Sequence, residues 1–116
     1  MAENNDNNSH IPFLQINLHK SKTANSELLK QLTEGEGIIA LLTVPWFSKK
    51  GHIPGFNDFN IYYQESFTGS CRAAIVIDKS FNSWIVHEYT NNDMVMICVN
   101  TKYKLLYHIN LYGWKC

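Results

Sequence analysis

Five consecutive apolar residues, Ile38-Ile39-Ala40-Leu41-Leu42, constrain this chain more than any other stretch. A short strand with no polar alternation is stable only where helices or loops cover both faces of its sheet. Upstream, Leu14, Ile16 and Leu18 alternate with Gln15, Asn17 and His19. That period of two belongs to a strand with one apolar face and predicts a first strand over residues 12–18. Between the two strands, the Ser21 hydroxyl can cap a helix by accepting an orphan backbone N–H, and Ala24, Leu28 and Leu32 recur at a spacing of four. Gly35 and Gly37 supply the stop. Strand, helix and buried strand in this order predict a βαβ unit opening an α/β or α+β fold.

After Pro45 the chain turns to punctuation. Lys49-Lys50-Gly51 and Pro54-Gly55 mark a surface loop before Asn60-Ile61-Tyr62-Tyr63. Beyond Gly69 the pattern is β throughout, with strands predicted at Ala73 to Ile77, Trp84 to Tyr89, Met94 to Asn100 and Lys104 to Leu111. Asp78-Lys79-Ser80, Asn91-Asn92-Asp93 and Thr101-Lys102 form the turns between them. A meander of antiparallel strands is the economical arrangement. The first ten residues, rich in Asn, bury too little apolar surface to offset the entropy of ordering and are predicted to be a disordered tail. Residues 11–116 form the folded part.

At 116 residues there is room for one domain. Charged residues make up 17% of the chain, and ten basic residues balance ten acidic ones. A zero net charge gives no whole-molecule attraction to nucleic acid, so any DNA contact needs a local patch. Cys71, Cys98 and Cys116 are far apart and odd in number, which argues against a disulfide scaffold and a structural zinc site. No leader pattern is present and no apolar run approaches membrane-spanning length, so the expected setting is intracellular, nucleus or cytoplasm, with no membrane partner.

The buried run leads into Thr43-Val44-Pro45-Trp46. Together with Gln15-Ile16-Asn17 and Arg72-Ala73-Ala74-Ile75, preceded by Gly69, it resembles the opening of an endonuclease/exonuclease/phosphatase domain, in the version carried by insect-type non-LTR retrotransposons. The motifs run in order over roughly residues 13–112. The resemblance implies an α+β fold, the N-terminal half of a four-layer αββα, DNase I-like sandwich with mostly antiparallel strands. It also implies Mg²⁺-dependent hydrolysis of DNA phosphodiesters. In that family the first strand ends in a metal-contacting Asn, which maps to Asn17, and the second ends in a Glu, whose position is taken by Val44. Mg²⁺ is held by few protein carboxylates, so each is a large share of its site, and valine supplies no ligand. Glu36 and Asp58 are the nearest acids and neither is placed to substitute. The family's Asp-x-Asn pair and closing Asp-His have no counterpart here, and its Tyr-x-Pro motif maps to Tyr112 or, in another register, to Asn110.

Each candidate also has a structural reading. Asn17 on its own is a strand-end polar residue satisfied by backbone groups. Lys20, Lys22, Lys49 and Lys50 follow the two strand ends and could face phosphate, or are solvated loop lysines. Arg72 could bridge to a phosphate or serve the fold. Trp46 and Phe47 could stack on a base, although aromatics after a buried strand more often close a core. His19, His52, His87 and His108 lack metal-ligand spacing. Trp84, Tyr89, Tyr103 and Tyr107 suit half-buried strand faces. Two functions are therefore expected: a truncated, impaired Mg²⁺-dependent endonuclease domain with DNA as its ancestral ligand, or a non-catalytic α+β module that binds protein or DNA through the loop around Trp46 to Phe56 or a sheet edge. In the second case exposed strand edges would support self-association or take up a completing chain.

Overall fold

A computed structural model describes residues 11–35, 37–46, 53, 58–64, 71–100 and 106–112. The Asn-rich segment 1–10 and Lys49 lie outside them, as do Phe47, Lys50, His52 and Tyr103. The opening is a βαβ unit. Strand β1 (Phe13–Asn17) runs parallel to β2 (Ile39–Thr43), and helix α1 (Lys22–Glu34) makes the crossover. Ser21 Oγ accepts the Ala24 N–H at 3.1 Å, capping the start of the helix, and the Gly35 N–H returns to the Gln31 carbonyl at 3.1 Å at its end. Gly37, at φ +62°, turns the chain back toward β2 in a conformation that side chains disfavour.

Two sheets result. The first has the order β1-β2-β4-β3, with β3 at Phe59–Tyr62 and β4 at Ala73–Asp78; the second is β5-β6-β7, at Asn82–Ile85, Met94–Asn100 and Leu106–Tyr112. Among the described residues, every ladder apart from the β1–β2 pair is antiparallel. Leu28 and Leu32 of α1 pack with Leu18, Ala40, Leu42, Ala74 and Val76 on one face of the first sheet. The other face, with Ile39, Ala73, Ile75 and Ile77, closes on Val95, Ile97, Val99 and Leu111 of the second. Both faces of β2 and β4 are thus dry, the cover their continuous apolar sequence demands. Burying a leucine such as Leu28 or Leu32 contributes about 1.5–3 kcal/mol.

Two sequence expectations change. The four late strands are not one meander: β4 pairs with β2 and β3, and only β5, β6 and β7 form a consecutive antiparallel set. The Asp78-Lys79-Ser80 turn carries the chain from one sheet to the other, with the Ser80 N–H donating to Asp78 Oδ1 at 2.8 Å. Nor does a strand run from Trp84 to Tyr89. It spans Asn82–Ile85, and His87–Tyr89 form a 3-10 turn held by the Thr90 hydroxyl donating to the Val86 carbonyl at 2.9 Å. Tyr89 is consequently exposed rather than half-buried on a strand. Among the described residues no helix is long and apolar enough to cross a membrane.

Candidate functional site at the strand-end edge

Strand register brings the sequence-predicted residues to one edge of the sandwich. Asn17, the last residue of β1, pairs with Thr43, the last of β2, and Thr43 pairs with Ala73, the first full residue of β4 after Arg72. Main-chain bonds tie these ends together. The Leu18 N–H donates to the Thr43 carbonyl at 2.9 Å and the Lys20 N–H to the Val44 carbonyl at 2.9 Å. The Val44 N–H donates to the Arg72 carbonyl at 2.9 Å, and the Arg72 N–H to the Asn92 carbonyl at 2.6 Å. The last bond brings the β5–β6 connection of the second sheet to the same edge. Tyr112, the last residue of β7, pairs with Met94 there, while Asn110 pairs with Met96 one step further in.

The backbone is unusual at this edge. His19, Lys20 and Val44 have φ of 50°, 55° and 50°. A β-branched residue rarely adopts this left-handed region, because its Cβ crowds the following carbonyl. Val44 is held there by hydrogen bonds through both its N–H and its C=O. Beside it, Lys22 Nζ lies 5.5 Å from the centroid of the Trp46 ring, a cation–π contact joining the start of α1 to the segment after β2. Pro45 is fully buried and fixes that segment.

The polar side chains are already engaged. Asn17 Oδ1 accepts the His19 N–H at 2.9 Å, an Asx turn that carries the chain out of β1. The Arg72 guanidinium pairs with the Asp93 carboxylate, which sequence reasoning had read only as part of a turn. Twenty-one residues separate the two, and no local pattern signals such a pair. Lys20 is exposed at the edge. Asp58, in contrast, precedes Phe59, whose partner Asp78 ends β4, so it stands at the opposite edge. Burial pushes the Cys71 thiol above its ordinary pKa, and Cys71 Sγ lies 3.0 Å from the Ala73 carbonyl as donor.

These side chains do not fit a Mg²⁺ site. The Val44 side chain has no oxygen and its carbonyl already accepts from the Lys20 N–H, the Asp93 carboxylate is paired with Arg72, and the described residues contain no group of three His, Cys, Asp or Glu able to hold a metal. What the edge presents is a rigid main-chain frame bearing exposed Lys20 and the half-exposed Arg72–Asp93 pair.

No family model matches the sequence, and no curated protein matches it significantly. Among solved structures, the endonuclease domain of TRAS1, a telomere-specific non-LTR retrotransposon, superposes with a TM-score of 0.76 at 20% identity. The match covers 91% of this chain and 45% of that one, so the chain spans less than half of its structural neighbour. Among the described residues, the two sheets and the helix covering the first therefore have the α+β fold of the matched part of that endonuclease domain.

Proposed function

We propose that this chain is a partial, impaired DNA endonuclease domain of the non-LTR retrotransposon type, which keeps the frame of a phosphodiester-cleaving site without its metal chemistry. Residues 11–116 make up the partial domain. The observation that carries the reading is the left-handed turn at Val44, directly after β2, in a fold like that of a retrotransposon endonuclease domain; we read Val44 as standing where the resembled family carries Glu. The ancestral reaction is water attack on a DNA phosphate with Mg²⁺ stabilising the developing charge. The ancestral metal contact is Asn17, and Lys20, Lys49 and Arg72 are the positions that faced phosphate. Here the balanced net charge and the Asp93 carboxylate beside Arg72 support at most weak, salt-sensitive DNA contact centred on Lys20.

Incubation of the purified chain with supercoiled plasmid and Mg²⁺ tests this. No nicking above buffer is expected, and any retained plasmid binding should fall steeply with salt and weaken in Lys20→Glu. Mg²⁺-dependent nicking that disappears in Asn17→Ala would defeat the claim of impairment.

A further inference from the structure

The strand-end edge gathers cations around one turn. Lys20 and Arg72 flank Val44, since the Lys20 N–H donates to the Val44 carbonyl and the Val44 N–H to the Arg72 carbonyl. Lys22, at the start of α1, is exposed beside them. The acid set against these cations is Asp93, whose carboxylate reaches the Arg72 guanidinium from the β5–β6 connection of the second sheet. Asp58 and Asp78 stand at the opposite edge, and Glu34 closes the far end of α1.

Asp93 is held by its own turn. Its N–H donates to Asn91 Oδ1 at 2.8 Å, the Asn91 N–H donates to the Met94 carbonyl at 2.8 Å, and the Asn92 carbonyl accepts the Arg72 N–H at 2.6 Å. A short side chain on a tied turn meets the guanidinium without a search, and a tethered partner of this kind acts as an anion present at roughly millimolar concentration or above. The pair is not needed to join the sheets. Main-chain bonds from Val44 to Arg72 and from Arg72 to Asn92 already do so, and an ion pair whose side chains are 28% and 39% exposed adds little stability. Its main consequence is electrostatic, because a guanidinium suits carboxylate and phosphate alike and here a carboxylate already stands against it.

We propose that Asp93 is an internal counter-anion that keeps Arg72 from receiving a phosphate, so that the residue at position 93 sets the affinity of this edge for phosphodiesters. The inference rests on the reading of the edge as a former DNA-cleaving site. A phosphate arriving at Arg72 must displace Asp93 and then bear its repulsion, because the turn keeps the carboxylate close by. With a neutral residue at 93, Arg72 joins Lys20 across Val44, and a phosphodiester meets two cations in place of one.

The test compares the parent with Asp93→Asn, and uses Asp58→Asn as a control that makes the same change of charge at the opposite edge. Binding of a short fluorescent DNA duplex is followed by anisotropy from low to physiological salt. Asp93→Asn should tighten binding by about fivefold at low salt and steepen the dependence of log K on log salt by about one unit, the mark of one added phosphate contact. Asp58→Asn should do neither, and adding Arg72→Gln to Asp93→Asn should abolish the gain. A second arm titrates isotope-labelled protein with inorganic phosphate, which should move the Arg72 Nε–H resonance in Asp93→Asn and leave it in place in the parent. Phosphate shifts without duplex binding would uphold the counter-anion and remove DNA as the ligand. The turn's bonds at residue 93 are made by its main chain, so the variant should keep a cooperative melt, and Asp93→Ser should reproduce both results. Equal responses of parent and Asp93→Asn to phosphate and duplex overturn the proposal, as does a gain matched by Asp58→Asn or kept without Arg72.

Discussion

At position 44 the backbone conformation can be separated from the side chain by comparing Val44→Ala with Val44→Gly. Both variants remove the isopropyl group, and both keep the main-chain bonds to Arg72 and Lys20. They differ in Cβ. At φ +50° a Cβ costs about 1–2 kcal/mol, whereas glycine loses about 0.5–1 kcal/mol more conformational entropy on folding than alanine. The difference leaves glycine the more stable variant by roughly 0.5–1 kcal/mol. With an unfolding entropy of about 2.1 cal/mol/K per residue, the 116-residue chain shifts its Tm by ~4 °C per kcal/mol. Val44→Gly should therefore melt ~2–4 °C above Val44→Ala in parallel calorimetric scans. At an ordinary strand or helix position the order reverses. A Val44→Ala protein melting above Val44→Gly would show that residue 44 is not left-handed and remove the structural link to a specialised site.

Two further outcomes test the core and the cysteine beside the site. Asn25 is 5% exposed and its Oδ1 has no hydrogen-bond partner among the described residues, so Asn25→Leu should stabilise the chain by about 1 kcal/mol; a lower denaturation midpoint would mean that the carbonyl is satisfied. The Cys71 thiol titrates above its unfolded value because burial disfavours the thiolate. Unfolded chains then lose the proton first as pH rises, so this group's contribution is complete below the unfolded thiol pKa of ~8.5 and declines above it. Cys71→Ala should flatten the alkaline decline in urea midpoints, and an unchanged slope would exclude the thiol as its source.

Local periodicity made the βαβ unit legible. Leu14, Ile16 and Leu18 on one face, the Ala24-Leu28-Leu32 repeat and the dry run at 38–42 reappear as β1, α1 and β2 within a residue or so. The partners of β4 were not legible. Ala73 to Ile77 are apolar on both faces, so the same five residues suit the centre of either sheet, and only the whole packing selects β2 and β3. The 3-10 turn at 87–89 was missed because Val86 and Tyr89 favour strands, while the Thr90 hydroxyl that ends the ladder is a single side chain. At the site, Asn17, Val44 and Arg72 could be assigned to strand ends from their motifs. The Arg72–Asp93 pair and the left-handed valine could not, because one spans the gap between sheets and the other contradicts local preference.

The strand-end edge is joined almost wholly by peptide groups: Leu18 to Thr43, Lys20 to Val44, Val44 to Arg72 and Arg72 to Asn92. Peptide groups are common to every amino acid except for proline's missing N–H, so none of these links depends on which side chain the residue carries. The side chain at position 44 can therefore change without undoing the ties between β1, β2 and β4. Shape and side-chain chemistry are set separately in such a scaffold, and the contour of this edge can persist while the side chains it carries change.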